Sequence, residues 1–307
     1  MRLRFLFISL ALALFILVSV SAIKQIERQT AAGIIILTVE GLQGALVNQQ
    51  QMPRLSAAAA QGGLRLPEHR VESGGSGSTI VSLLTGLSSL PSNIPSQGQP
   101  LYPPVMTPLH QLTDRGFVVV GLQPFMTKDV YAHLGLTVMA DNGDPLFWLA
   151  RQKQQGVPFL LWYHYVEPPR EPSLQQEEVT DFDAWFGRLW DHLQKSGLHR
   201  STCLVVTADH GEVHTEQDRD GRVSPSKTSH LQDETVRLPL IIWAPQRYRS
   251  TLPDAEAIGR SSPMDLMPTL FGLFDIEPET TFDGRDLLRT PADNSRSRLR
   301  LKREALP

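Results

Sequence analysis

Five short apolar runs, rich in β-branched residues, constrain this chain more than any other feature. They are residues 33–39 (GIIILTV), 116–121 (GFVVVG), 158–165 (PFLLWYHY), 201–208 (STCLVVTA) and 238–244 (LPLIIWA). A strand with no polar alternation must be buried on both faces, which is the condition of a parallel sheet covered by helices on either side. Segments with helical patterning lie between these runs, at 53–61, 79–86, 107–115, 182–196 and 263–274. The alternation predicts an α/β fold, a three-layer α/β/α sandwich around a mostly parallel sheet. Asp181 and Asp183, just ahead of the apolar positions of 185–193, are expected to cap that helix.

The N-terminus adds a different kind of segment. Arg2 and Arg4 precede residues 5–22, a run without charge whose only polar residues are serines. As a helix it would span roughly 27 Å, enough for a thin bilayer. It ends Val20-Ser21-Ala22, small residues at the spacing a signal peptidase cleaves. Residues 1–22 are therefore expected to be a signal anchor or signal peptide, one apolar helix that leaves the rest of the chain outside a bacterial inner membrane. Residues 23–290 form the expected globular domain. Residues 291–307 (PADNSRSRLRLKREALP) read as a basic, flexible tail. A formal net charge of -3 argues against a nucleic-acid binder. The single cysteine, Cys203, excludes an intrachain disulfide, a CxxC zinc site and a thiol redox pair.

Ligands of open α/β sheets sit beyond the carboxyl ends of the strands. Glu40-Gly41 follows the first run and Asp209-His210-Gly211-Glu212 follows the fourth, while residues 73–79 (SGGSGST) form a loop of glycine and hydroxyl residues ahead of a helix. A carboxylate and an imidazole at a strand end suit Zn²⁺ or Mn²⁺ better than Ca²⁺. Glu40 supplies a second carboxylate, and a hydroxyl from the loop completes a four-ligand set. An ion there would lower the hydroxyl's pKa and make it a nucleophile at neutral pH. Asp209-His210 taken alone is also what a capped turn would show.

Several segments carry a resemblance to a known family. VVTADHGE (205–212), VRLPLIIWAP (236–245), SPMDLMPTLFGLFDI (262–276), FDGRDLL (282–288), STIVSLLTGLSSLPSNI (78–94) and IIILTVEGL at the first strand end occur in the order seen in the sulfatase branch of the alkaline phosphatase superfamily. The resemblance covers about residues 33–288. It implies the alkaline phosphatase-like fold and metal ligands at Glu40, Asp209, His210 and a hydroxyl nucleophile. Relatives carry that nucleophile ten residues before the glycine of the LLTG-like stretch, here Gly86, which points to Ser76, with Ser78 and Thr79 beside it as alternatives.

Departures from the family pattern narrow the chemistry. Ser76 lacks the proline and arginine that accompany a formylglycine precursor, since Ser78 and Ile80 stand there, and Cys203 lies inside a strand. Glu40 in place of the more usual Asp, and no second Asp/His set, resemble the single-metal members that transfer phosphoethanolamine or phosphoglycerol within the envelope. Pro169 stands where many relatives carry a substrate-binding histidine, with His164 and Arg170 nearby; His164, within a strand, reads first as a core residue. Lys227, His230 and His214 are candidates for the basic group that relatives place against the phosphoryl or sulfuryl oxygens. Asp265 reads as a capping residue and Asp283-Gly284-Arg285 as a structural turn. The resemblance implies one divalent metal, Zn or Mn, and a serine-linked phosphoryl transfer. Its donor would be a phospholipid and its acceptor an envelope glycan or lipid. Ester hydrolysis, or a non-catalytic periplasmic regulator binding lipid or lipopolysaccharide, are the alternatives.

Overall fold

The computed structural model describes residues 33–71, 76–88, 106–122, 128–139, 144–166, 175–211 and 236–289. The expected N-terminal helix and basic tail, together with Arg170, His214, Lys227 and His230, lie outside the described residues. The strands are β1 (Gly33–Val39), β2 (Leu64–Arg65), β3 (His69–Arg70), β4 (Val118–Leu122), β5 (Thr137–Val138), β6 (Phe159–Tyr165), β7 (Thr202–Ala208), β8 (Arg237–Leu238) and β9 (Leu240–Trp243). The helices are α1 (Pro53–Ala60), α2 (Ser76–Thr85), α3 (Pro108–Asp114), α4 (Lys128–His133), α5 (Pro145–Gln155), α6 (Gln175–Ser196), α7 (Ala255–Ile258) and α8 (Leu266–Leu273).

Seven strands form one sheet in the order β2-β9-β7-β1-β6-β4-β5. The pairs β7·β1, β1·β6, β6·β4 and β4·β5 are parallel, whereas β9 runs antiparallel to both β7 and β2. β9 alone is therefore reversed. The run 238–244, expected as one more parallel strand, instead returns along the sheet and is split by Pro239 into β8 and β9. A proline has no N–H to give a continuous ladder.

Alternation along the strands divides the core. Ile34 and Ile36 face the layer of α2, α3, α4 and α8. Ile35, Leu37 and Val39 face the layer of α1, α5 and α6. Both faces of the sheet are dry, as the unbroken apolar runs require. Cys203 is fully buried in β7, and burial pushes its thiol far above the range in which a thiolate forms.

One expected cap is corrected. α6 begins at Gln175, so Asp183 lies inside the helix rather than at its start. Its carboxylate instead accepts from the backbone N–H groups of Arg54 and Leu55, at 3.0 and 2.8 Å, in the first turn of α1. The N-cap of α1, Met52, has no side chain able to do this, so the tertiary neighbour does it.

Candidate functional site at the carboxyl rim of the sheet

The three central strands end in register. Thr38 of β1 lies level with His164 of β6 and Thr207 of β7, and Val39 with Tyr165 and Ala208. The next residues, Glu40 and Asp209, therefore emerge at the same height on neighbouring strands. The ladder continues one step past β1, with the Glu40 N–H donating to the Tyr165 carbonyl at 3.0 Å. Trp162, Cys203 and Val205 belong to the same core half as α2. Two-residue periodicity then carries Thr38, His164 and Asp209 to that side of the sheet as well.

Asp209 is completely buried. Its Oδ1 accepts from the backbone N–H of Gly41 at 3.2 Å and of His210 at 2.9 Å. Gly41 has a φ of 68°, and this left-handed residue turns the chain so that its N–H reaches across from β1 to β7. Oδ2 is buried with no hydrogen-bond partner among the described residues. The His210 Nε2 lies 3.5 Å away. His210 Nδ1 lies 3.1 Å from the Gly211 carbonyl, an oxygen that can only accept. The proton therefore sits on Nδ1, and in the neutral ring Nε2 carries a lone pair. A lone pair and a carboxylate oxygen thus face each other in a buried place. Leaving the oxygen without a counter-charge costs on the order of 1–3 kcal/mol. A cation between the two atoms would remove that cost, and the donor set suits a borderline metal.

A second pair of residues supports the rim. Trp162 Nε1–H donates to Thr38 Oγ1 at 3.0 Å, and Thr38 Oγ1 lies 2.8 Å from His164 Nδ1. Burial pulls the His164 pKa down to about 4; the charge of Asp209 opposes this and His210 adds to it. Thr38 was not singled out in the sequence, where the only signal for it is a lone hydroxyl inside an apolar strand. His164 is a core residue, as its strand position suggests, and it is also electrostatically coupled to the rim.

Glu40 is exposed in the turn after β1. Ser76 opens α2, not the loop before it, and is half-buried with Ser78, while Thr79 is buried. The structure thus brings Asp209 and His210 together and sets Glu40 at the same rim. Among the described residues, no three His, Cys, Asp or Glu side chains are gathered closely enough to hold a metal. Asp265 is a cap: its Oδ2 accepts from the Ser262 N–H at 2.8 Å and its Oδ1 from the Arg285 N–H at 2.7 Å. Asp283 and Gly284 donate their N–H groups to the Gly86 carbonyl at the end of α2, a structural turn.

Residues 170–276, which contain Asp209 and His210, match the sulfatase family. A multifunctional alkaline phosphatase superfamily protein, PehA of Trinickia caryophylli, is 29% identical over 110 residues, 36% of this chain and 20% of that protein. The lipoteichoic acid synthase LtaP of Listeria monocytogenes has a similar fold, with a TM-score of 0.60 at 16% identity over 84% of this chain and 76% of that one. The C-terminal periplasmic domain of EptC from Escherichia coli gives a TM-score of 0.56 at 12% identity, over 80% and 82% of the two chains.

Residues 170–276 are thus sulfatase-like in sequence, and the fold of the chain is alkaline phosphatase-like. The matched stretches span only 17 to 28% of the lengths of the curated relatives. The Asp209–His210 pair lies inside the family match, while Glu40 and Ser76 lie outside it.

Proposed function

We propose that this superfamily hydrolase or transferase works on phosphoryl esters of the bacterial envelope, moving a phosphoethanolamine-type group through a serine intermediate. The observation that carries the reading is the buried Oδ2 of Asp209, which has no hydrogen-bond partner among the described residues and faces the lone pair on His210 Nε2. Asp209 and His210 would hold one divalent ion, Zn or Mn, with the Glu40 carboxylate turned in from the rim and the Ser76 hydroxyl as the remaining ligands. Such an ion supplies positive charge that favours the serine alkoxide and offsets charge on the phosphoryl oxygens.

Ser76 gives up its proton to solvent and its Oγ bonds to phosphorus, while the bond from phosphorus to the lipid alcohol breaks. His230 as imidazolium hands its proton to that departing oxygen, and Lys227 neutralises charge on the oxygens that remain. An acceptor hydroxyl then loses its proton to His230 and its oxygen bonds to phosphorus, while the bond from phosphorus to Ser76 Oγ breaks and that oxygen takes a proton back from solvent. Water in the acceptor's place gives hydrolysis. A phospholipid such as phosphatidylethanolamine is the proposed donor and an envelope glycan or lipid the acceptor. The protein would sit at the inner membrane with this domain in the periplasm. The exposed position of Glu40 favours a second reading, in which the fold binds lipid or lipopolysaccharide without turnover.

The test is metal content of the purified full-length chain, followed by intact mass after incubation with phosphatidylethanolamine. About one equivalent of Zn or Mn, lost in Asp209→Asn, is expected. A mass increment of one phosphoethanolamine, absent in Ser76→Ala, is expected with it. Wild type that takes up no ion when dialysed against either metal overturns the ion site. Ion uptake without adduct or turnover selects the binding protein.

A further inference from the structure

The segment that leaves β1 links the rim to a separate cavity. Gly41 donates to Asp209, Gly44 packs against the Arg237 carbonyl and Leu238, and the Val47 carbonyl accepts from Arg65 Nη2. The segment therefore crosses the end of β7, which lies between β1 and β9. Gly44 and Ala45 of this segment line a cavity of about 350 Å³ together with the apolar Leu66, Leu238 and Ile241 and with Arg65 and Arg237. That volume falls within the range of small-molecule sites. Gly41 and Gly44 are three residues apart, so the cavity wall begins within about 11 Å of the Asp209 contact.

The charge of this corner is positive. Arg237 is committed to Glu68, with Nη2 2.6 Å from Oε1, and to the Pro67 carbonyl at 3.0 Å. Arg70 also reaches Glu68, at 3.4 Å. No acidic side chain among the described residues lines the cavity. Arg65 has one protein partner, the Val47 carbonyl, and no acidic partner among the described residues. Four of its five N–H donors are therefore available in the fork geometry that fits a tetrahedral oxyanion.

We propose that this cavity is an oxyanion subsite, in which Arg65 binds a phosphate or sulfate group carried by the same substrate whose reacting ester lies at Asp209 and His210. The apolar lining takes the sugar ring or glycerol that bears the anion. The subsite deepens the proposed function by making the substrate at least doubly anionic, and it rests on that reading only for the placement of the reacting ester. A sulfated glycan and a phosphorylated glycerol headgroup share the recognised chemistry.

The experiment is calorimetric titration of the full-length chain in detergent and EDTA with two probes, glucosamine 6-sulfate and glycerol 3-phosphate. Wild type is expected to bind at least one probe, and the stronger response assigns the anion to a glycan or a headgroup source. Arg65→Ala should weaken it at least tenfold, with Arg65→Lys intermediate because the charge stays and the fork is lost. Asp209→Asn should retain wild-type affinity. Binding of neither probe, unchanged affinity in Arg65→Ala, or loss in Asp209→Asn with retention in Arg65→Ala overturns the subsite. Failure of the ion site would show separately, in the metal content.

Discussion

Asp183 sits inside α6, yet its carboxylate closes the first turn of α1 through the N–H groups of Arg54 and Leu55. The group is buried, so removing it strands two backbone donors as well as a favourable charge at a helix N-terminus. Asp183→Ala should cost about 1–3 kcal/mol in urea unfolding, while Asp181→Ala, at an exposed position two residues earlier, should cost less. Spacing along the sequence could not assign Asp183 to α1, because the two segments are some 128 residues apart and only the packing of α1 on α6 joins them. Thr38 is a similar case. Its bonds to Trp162 and His164 exist because β1 and β6 are neighbours in register.

At the scale of elements, the position of α2 decides whether Ser76 can serve the rim. Its far end is tied down by the turn at 283–284, where both N–H groups bond to the Gly86 carbonyl and the Ser88 N–H donates to Asp283 Oδ2 at 2.9 Å. A β-carbon on Gly284 would lie 2.0 Å from the Met264 carbonyl oxygen, which is backbone and cannot swing aside. Gly284→Ala should therefore destabilise by about 2–4 kcal/mol, read as a lower melting temperature, by displacing either the turn or the 3₁₀ segment Pro263–Asp265. The elements nearest the site were legible from patterning: β1, β6 and β7 appear within a residue or so of their expected bounds. The two-residue strands β2, β3 and β5 were not, since so short a segment has no period of its own and forms only where a neighbour offers a ladder.

For the whole molecule, buried titratable groups set opposing pH dependences. Burial raises the Asp286 carboxyl to about 6, against the Leu288 N–H bond and the Arg289 charge that lower it. A carboxyl that holds its proton more tightly when folded contributes fully below its unfolded value of 3.8, and that contribution is lost as pH rises through about 6. Burial lowers His69 to about 3, with its Nδ1 3.0 Å from Ser261 Oγ. A histidine kept neutral by the fold contributes fully above its unfolded value of 6.5, and that contribution is lost as pH falls towards 3. The two slopes cancel in part between pH 4 and 6. Asp286→Asn should unmask the histidine's slope. The stability difference between wild type and this variant should fall by about 2–3 kcal/mol from pH 4 to pH 7, measured by urea unfolding at each pH.

The sequence by itself determined the sandwich, because uninterrupted apolar strands can be buried only between two helical layers, and it carries a sulfatase-like stretch around Asp209 and His210. Tertiary structure alone decided which partners those residues meet. The contact of Asp209 with Gly41, the reversed strand β9, the cap that α6 lends to α1 and the arginine-lined cavity beside the β1 exit all arise from segments distant in the chain. Local propensity and periodicity act over a few residues, whereas contacts between distant segments are set by the order of strands in the sheet.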